Sequence, residues 1–278
     1  MFQKILVPLD GSELASRVLD YLEPVLALEA ASLVVLRVRP KGTPSPEGES
    51  DPLAARLASL NPKTPIKRIE RQGDPAAEIL AAAEEEGASL VALSTHGRTG
   101  LARLVRGSVA ERVLRNAQTP VLLVNPFTES TSSRFERILV ALDGSAGSLE
   151  ALDLVSQLAP LYRAEVVLFH VGNPDYRLTE AGERQEDVRA SEFRSSIAPQ
   201  VARLEASGVK VKVEVLVEFG PSGQILAAVQ REGIDLVALT THGRAGVSRW
   251  IYGSVAEAVI RECRVPLLVK RVEASPRA

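Results

Sequence analysis

The chain has 278 residues, of which 45% are hydrophobic and 24% are charged, a usage typical of globular proteins and not of disordered or fibrous ones. It carries 33 basic and 35 acidic residues, giving a formal net charge of −2. This balance disfavours nucleic acid as a partner, because affinity for the phosphate backbone comes mainly from clustered Lys and Arg. At roughly 150 residues per domain, the length predicts two domains.

No segment of the sequence predicts export or insertion into a membrane. No stretch reaches the roughly 20 apolar residues that span a bilayer. The opening MFQKILVPLDGS lacks the long apolar run and the small-residue cleavage site of a signal peptide. We therefore expect a cytoplasmic protein without a membrane partner.

The first half of the chain alternates apolar runs with helical patterns. The apolar runs predict strands at residues 5–9, 33–38, 66–70, 89–94 and 120–124. Apolar residues at helical spacing predict helices near residues 14–25, 53–60, 79–83 and 109–116. Strands that are apolar throughout and alternate with helices indicate an open, mainly parallel five-stranded sheet with helices on both faces.

The second half of the chain repeats the first. KILVPLDGS recurs as RILVALDGS, SLVALS as DLVALT, and GSVAERVLRNAQTPVLLV as GSVAEAVIRECRVPLLVK. Self-similarity of this extent predicts two tandem copies of one α/β domain, which we place at residues 1–126 and 137–278 with a Ser/Thr-rich linker at 127–136. The second copy is longer between Val171 and Ser196, where we expect a flexible, charged surface loop.

Candidate binding residues follow the strands of each half. Open parallel sheets bind ligands at the carboxyl ends of their strands, near the point where the winding direction reverses. In the first half that edge gathers Asp10, Val38 and the loop 94–108. In the second half it gathers Asp143, Val171 and the loop 240–254.

The loop STHGRTGLARLVRGS, residues 94–108, has the features of an anion site. Gly97 and Gly107 carry no Cβ, so their N–H groups can approach an anion closely. Ser108 begins a helix whose first turn offers unpaired N–H groups and the positive end of the helix dipole. Positive charge is added by Arg98, Arg103 and Arg106. A di- or triphosphate suits these features.

Helix capping is the simpler interpretation of the serines that begin these helices. Ser108 with Glu111, and Ser254 with Glu257, fit the capping box S-x-x-E. The two interpretations are compatible, because a hydroxyl that caps a helix leaves the backbone N–H of the same residue available to a phosphate.

The aspartates after the first strand of each half and the histidines of the two loops also have local interpretations. Asp10 and Asp143 each precede Gly-Ser, which is typical of an Asx turn, although either carboxylate could instead accept from an amino or ribose hydroxyl group of a nucleotide. For His96 and His242 a turn-stabilising hydrogen bond is preferred, because no carboxylate is near them in sequence. The P-loop, the G-x-G-x-x-G fingerprint, metal-ligand spacings and the G-x-S-x-G elbow are absent, and we assign no catalytic or metal-binding residue.

Taken together, these motifs resemble the universal stress protein family in tandem form. The resemblance rests on ILVPLDGS, on the Gly-Asp-Pro at residues 73–75 and on the two copies of HGR-x-G…GSVAE with the strand that follows, and it covers nearly the whole chain. It implies two Rossmann-like domains that bind an adenine nucleotide. One branch of the family binds ATP through G-x2-G-x9-G-[ST].

The resemblance implies a nucleotide site in each half. Adenine and ribose contacts are implied for Asp10, Val38, Asp143 and Val171. Phosphate contacts are implied for Gly97, Gly107, Ser108 and Val109 in the first half, and for Gly243, Gly253, Ser254 and Val255 in the second. Ser94 and Thr240 stand where the motif has its first glycine, so a side chain there would narrow the approach to the ribose or phosphates.

The resemblance also implies a role and partners. We expect a stress-response protein that binds ATP, with Mg²⁺ bridging the phosphates, as a nucleotide-dependent switch or reservoir. Pairing of the strands near 121–124 and 266–269 would join the halves as an internal pseudo-dimer, with a further homodimer and an unidentified protein partner also expected. Two alternatives stay open. The first is an enzyme, either a slow ATPase or an ATPase or nucleotidyl-transfer enzyme that uses Asp10 or His96. The second is an interaction scaffold that binds no nucleotide, which Ser94 and Thr240 would favour.

Overall fold

The computed structural model describes residues 2–27, 31–42, 53–95, 108–125, 134–174, 185–241 and 253–272. The chain divides into two compact units. The first contains Met1–Ser133 together with Arg264–Arg271, and the second contains Arg134–Cys263 together with Val272–Ala278.

The first unit is built on a parallel sheet with the strand order β3-β2-β1-β4-β5. Its strands are β1 (Lys4–Pro8), β2 (Ser32–Arg39), β3 (Ile66–Gln72), β4 (Leu90–Ser94) and β5 (Val121–Val124). Its helices are α1 (Glu13–Ser16), α2 (Val18–Leu26), α3 (Ala54–Ala58), α4 (Pro75–Glu85) and α5 (Ser108–Asn116). The predicted helix near residues 14–25 is therefore two helices that meet at Arg17.

The second unit repeats this order with the strand sequence β9-β6-β7-β8, all parallel. Its strands are β6 (Arg137–Leu142), β7 (Glu165–Gly172), β8 (Lys210–Val217) and β9 (Leu236–Thr240). Its helices are α6 (Leu149–Tyr162), α7 (Gln185–Ala206), α8 (Pro221–Arg231) and α9 (Ser254–Glu262).

The last strand of the chain, β10 (Leu267–Lys270), belongs to the first unit. It runs antiparallel to β5, with Leu267 opposite Leu123 and Val269 opposite Val121. The pairing covers the free edge of β5, which would otherwise expose unpaired N–H and C=O groups.

The central strands are apolar because both of their faces are covered. Ile5, Leu6 and Val7 of β1 are fully buried, as are Ile138, Leu139 and Val140 of β6. Helix α4 packs on β1 and β2 and beside α5, and α6 packs on β6 and β9. The predicted α/β fold with a mainly parallel sheet flanked by helices is confirmed. Among the described residues, no helix is both long and apolar enough to cross a membrane.

The prediction of a loop between Val171 and Ser196 is partly wrong. The 22-residue helix α7 already begins at Gln185, while residues 175–184 lie outside the described part of the chain. The helix buries only Phe193, Ile197 and Leu204 among its larger apolar residues. So sparse a stripe, among many charged residues, gives a weak periodic signal in the sequence.

Candidate functional site

The candidate site of each unit lies where the winding of the sheet reverses. β1 pairs with β2 on one side and β4 on the other, and β6 pairs in the same way with β7 and β9. Parallel strands end at one edge, so Asp10, Val38 and Ser94 are brought to the same edge of the first unit. Each of the three is partly exposed. Asp143, Val171 and Thr240 hold the matching positions in the second unit and are also partly exposed.

The aspartates make the predicted Asx turns. Asp10 Oδ1 accepts from the N–H of Ser12 at 2.9 Å and from its hydroxyl at 2.6 Å. Asp143 Oδ1 accepts from the N–H and hydroxyl of Ser145 at the same two distances. Between each pair is a glycine with φ of +86° or +81°, a conformation that glycine adopts readily. The Asx interpretation is confirmed, and a nucleotide contact by either carboxylate stays a prediction.

Ser12 connects this turn to the helix that follows it. Its Oγ accepts from the N–H of Ala15 at 3.1 Å, so Ser12 is the N-cap of α1. In the second unit, Ser145 Oγ likewise accepts from the N–H of Ser148, at 3.2 Å. The first-strand carboxylates are therefore held by their own turns, with Oδ1 directed at the backbone.

The start of α9 differs from the predicted capping box. The N-cap is Gly253, with φ −64° and ψ 146°, and no side chain in the described residues donates or accepts a capping hydrogen bond there. Ser254 is the first residue of the helix, one position too late for the capping box, and it is exposed. The prediction that Ser254 caps the helix through its side chain is wrong, because a residue already inside the helix cannot cap it.

A backbone hydrogen bond holds Gly253 against the end of β9. The N–H of Gly253 donates to the carbonyl of Thr241 at 2.8 Å, and Thr241 is buried. This bond places the first turn of α9 at the carboxyl edge of the sheet, beside the end of β9. The exposed Ser254 and the partly exposed Val255 follow directly.

Helix α5 begins in the corresponding way in the first unit. Ser108 is its first residue and is exposed, Val109 is partly exposed, and Glu111 pairs with Arg115 one turn further on. The N–H of Thr95, just after β4, donates to the carbonyl of Val124 at 2.9 Å, which extends the pairing of β4 with β5. Thr95 and Thr241, the residues that follow Ser94 and Thr240, are thus each held by a backbone hydrogen bond.

Several predicted residues lie outside the described part of the chain. They are His96, Gly97, Arg98, Arg103, Arg106 and Gly107 in the first half, and His242 and Gly243 in the second. Their contribution to an anion site therefore stays a prediction. Within the described ranges, no group of three or more His, Cys, Asp or Glu residues could hold a metal ion.

Two residues of the second unit, Phe219 and Asp235, were missed as features of interest, whereas the role of His170, which stands where the first copy has Arg37, was expected to be local. His170 Nδ1 donates to the carbonyl of Leu142 at 2.8 Å. Phe219, after β8, is 69% exposed. Burial raises the pKa of Asp235, at the opposite edge of the sheet, to about 6. A residue-by-residue comparison of the two copies would have found Phe219 and Asp235, because the first copy has Gly73 and Ser89 at these positions.

These features define a tandem, Rossmann-like α/β protein with a candidate site at the strand ends of each copy, and the comparisons with known proteins agree with this fold. A model of the universal stress protein family matches residues 1–125 and 134–271. Universal stress protein MJ0531 of Methanocaldococcus jannaschii is 32% identical over 151 residues, which cover 53% of this chain and 88% of that protein. Universal stress protein Rv2005c of Mycobacterium tuberculosis is 28% identical over 186 residues, which cover 66% of this chain and 62% of that protein.

A solved structure matches along the whole chain. The crystal structure of a universal stress protein from Archaeoglobus fulgidus has 26% sequence identity and a TM-score of 0.70, and the match covers 98% of this chain and 99% of that chain. The chain therefore belongs to the universal stress protein family, as a tandem member with one copy of the family domain in each half.

Proposed function

We propose that each half binds ATP at the carboxyl edge of its parallel sheet, with the phosphates at the N-termini of α5 and α9. Asp10 and Val38, and in the second half Asp143 and Val171, contact the ribose and base. The protein serves as a nucleotide-dependent switch or reservoir in a cytoplasmic stress response. Membership of the universal stress protein family and the position of the site at the winding reversal support this proposal.

The start of α9 is the observation that carries the proposal. Gly253 has extended backbone angles that any residue adopts, and a Cβ added there would lie 3.7 Å from the Thr241 carbonyl, an ordinary contact. The fold therefore does not require glycine at this position. A glycine without a capping side chain leaves the first-turn N–H groups of α9 open to an anion, and the helix dipole favours negative charge there.

Further parts of the proposal concern the metal and the assembly. Mg²⁺ would arrive with ATP and bridge its phosphates. The pairing of β5 with β10 supports the proposal that the two halves act as an internal pseudo-dimer. The proposal also includes a further homodimer and a protein partner that responds to the bound nucleotide.

Calorimetric titration of ATP and Mg²⁺ into nucleotide-stripped protein tests the proposal. The comparison uses the wild type, Gly107→Val and Gly253→Val. We expect two molecules of ATP per wild-type chain and one per chain of either variant. Thermal unfolding without ligand is the control, because the backbone angles and the space at Gly253 allow a side chain there. Absence of heat and of thermal stabilisation with ATP, ADP and AMP would contradict the proposal.

A scaffold that binds no nucleotide is the second candidate function. Ser94 and Thr240 carry side chains at the ends of β4 and β9, and both are partly exposed at the edge where the ligand would lie. The substitutions Ser94→Gly and Thr240→Gly distinguish the two functions. If these side chains close the site, the double variant binds ATP and the wild type does not.

A further inference from the structure

The carboxyl edge of the second unit carries an aromatic side chain that the first unit lacks. Phe219 is the second residue after β8, which ends at Val217. Among the described residues it is the one large hydrophobic side chain that is exposed, at 69%. Leaving a phenyl ring in water forgoes the stabilisation that burial would give it. A single exposed apolar side chain is ordinary on a protein surface, so it is the position of this ring, at the carboxyl edge of the parallel strands, that makes it a candidate contact for a ligand.

Backbone pairing places Phe219 beside the predicted nucleotide site. Val171 lies opposite Leu216, and Gly172 lies opposite Val217. The N–H of Glu218 then donates to the carbonyl of Gly172 at 3.0 Å. Phe219 is the next residue, so it stands at the end of the β7–β8 ladder, close to the residues that follow β7.

The first copy of the domain is built differently at this position. Gly73 occupies it, and a Cβ added there would lie 2.7 Å from Glu78 Oε1. Asp74 follows and caps α4 by accepting from the N–H of Ala77 at 3.0 Å. In the second copy Gly220 takes the place of this aspartate, and within the described residues no side chain caps α8. In the described residues, the second copy thus has no side-chain cap at this helix and carries an exposed aromatic ring one residue before the N-cap.

The end of β7 leaves open space beside Gly172. A Cβ added at Gly172 would be 3.8 Å from both His170 Nε2 and the Leu216 carbonyl, so a side chain would fit and its absence leaves that volume open. The ring of His170 is fixed by its stacking on Phe193 of α7. The end of β7, which pairs with the strand that leads to Phe219, therefore has room for the edge of a planar group.

Charge and strand order decide which end of a nucleotide would lie there. The exposed carboxylate of Glu218 is adjacent to Phe219 and repels phosphate. The start of α9, which attracts phosphate, follows β9 on the other side of β6 and β7. With strands spaced about 4.8 Å apart, β9 and β8 are separated by about 14 Å. A nucleotide whose phosphates lie at α9 therefore extends toward β7 and β8 and places its base near these strands.

We propose that Phe219 stacks on the base of the nucleotide bound by the second half and so makes this half the tighter and more base-selective of the two sites. The inference rests on the proposed function, because it takes the phosphates to lie at α9. Aromatic rings stack on nucleobases through their π-faces. The first half, with Gly73 at the same position, has no ring to offer there.

The test compares base-containing and base-free ligands in a chain whose first site is disabled by Gly107→Val. In that background we measure binding of ATP, adenosine and inorganic tripolyphosphate by the protein with Phe219, Phe219→Ala, Phe219→Leu and Phe219→Tyr. Loss of the ring should weaken ATP and adenosine alike, by roughly tenfold, and leave tripolyphosphate unchanged. Phe219→Tyr should retain the affinity, because it keeps the ring, and Phe219→Leu should not.

The outcomes separate this inference from the proposed function. If the protein with Phe219 binds ATP and Phe219→Ala binds it equally well, the inference is wrong and the proposed function stands. If Phe219→Ala weakens tripolyphosphate as much as ATP, Phe219 supports the fold of the site and does not stack on the base. If the wild-type chain, with both sites intact, binds no adenine nucleotide, the proposed function fails and the inference fails with it.

Discussion

The ring of His170 in β7 lies flat against the ring of Phe193 in α7, with 3.9 Å between the centroids and 11° between the planes. His170 Nδ1 also bonds to the carbonyl of Leu142. Because a carbonyl only accepts, Nδ1 carries the hydrogen. The histidine therefore connects β6 to α7, a helix that buries few other side chains and so depends on this contact.

The substitution Phe193→Ala should strongly destabilise the second unit. Phe193 is 6% exposed, and its removal deletes the ring that stacks on His170 and leaves a cavity under α7. We expect a loss of about 3–4 kcal/mol in the free energy of unfolding, measured by urea denaturation. The matched control is Phe219→Ala, because Phe219 is exposed and its loss should change stability by less than about 0.5 kcal/mol. Equal effects of the two substitutions would contradict this account of α7.

The repeated motifs are the reason why so much of the fold could be predicted. An apolar run that occurs twice, such as that of β1 and β6, is strong evidence for a buried parallel strand. Asp-Gly-Ser after each run predicted the Asx turns that the structure contains. The same alternation of strands and helices predicted, for each unit separately, the sheet edge that holds the candidate residues, with Asp10 at this edge in the first unit and Asp143 in the second.

The features that could not be predicted depend on contacts distant in sequence. Helix α7 is held by a few buried residues such as Phe193, and that stripe is too sparse to mark a helix by periodicity. The sequence S-x-x-E at Ser254 fits a capping box, yet the helix already begins at Ser254, with Gly253 as its N-cap, because the N–H of that glycine bonds to the carbonyl of Thr241. Local pattern alone does not contain this hydrogen bond.

The substitution Asp10→Ala should unfold the turn that begins α1. It removes the acceptor of both the N–H and the hydroxyl of Ser12, and Ser12 in turn caps the helix. We expect a loss of about 1–2 kcal/mol in the free energy of unfolding, measured by chemical denaturation. Asp10→Asn keeps an acceptor oxygen and should lose less.

The same pair of variants separates the structural role of Asp10 from a role toward ligand. If the Asp10 carboxylate accepts from a nucleotide hydroxyl, Asp10→Asn should weaken ATP binding more than it lowers stability. Asp143→Ala and Asp143→Asn provide the matched measurement in the second unit, where Ser145 makes the same two bonds. If Asp10→Asn lowered the free energy of unfolding as much as Asp10→Ala does, the result would contradict the Asx account.

The substitution Asp74→Ala should lower the thermal stability of the first unit more than Arg112→Ala does. Asp74 makes an ion pair of 2.7 Å with Arg112 and also caps α4 through Ala77, so its loss removes both interactions and the loss of Arg112 removes one. Asp74→Asn keeps the capping oxygen and should fall between wild type and Asp74→Ala. Melting temperatures at low ionic strength give the order of the variants.

The acid dependence of these variants provides a second check. The Arg112 guanidinium, and then the N–H of Ala77, hold the pKa of Asp74 below its ordinary value of 3.8. The stabilisation from the ionised carboxylate is present above that ordinary value and is lost as the pH falls through the lower folded pKa. The difference in melting temperature between wild type and Asp74→Asn should therefore shrink in strong acid. It should also shrink at high salt, because the pair is exposed.

The substitution Asp235→Ser should remove a pH dependence of the free energy of unfolding that is specific to the second unit. Asp235 accepts from the N–H groups of Glu136 and Arg137, and Ser89 accepts from Lys4 at the matching place in the first unit. Burial raises the pKa of the Asp235 carboxyl from 3.8 to about 6, although the two N–H groups act in the opposite direction. The folded protein therefore binds this proton more tightly than the unfolded chain does.

The sign of the pH effect follows from that difference. The contribution of Asp235 to the free energy of unfolding increases as the pH falls from about 6 toward 3.8, and it is constant above about 6. Between pH 7 and pH 4.5 the wild type should gain about 1–2 kcal/mol relative to Asp235→Ser, which is less than the full shift implies because the carboxyl is partly open to solvent. Urea denaturation of both proteins across this range measures the difference, and Ser89→Ala is the control that should run parallel to wild type. A difference between wild type and Asp235→Ser that stays flat with pH would show that the carboxyl is ionised in the folded state throughout the range, held so by the N–H groups of Glu136 and Arg137.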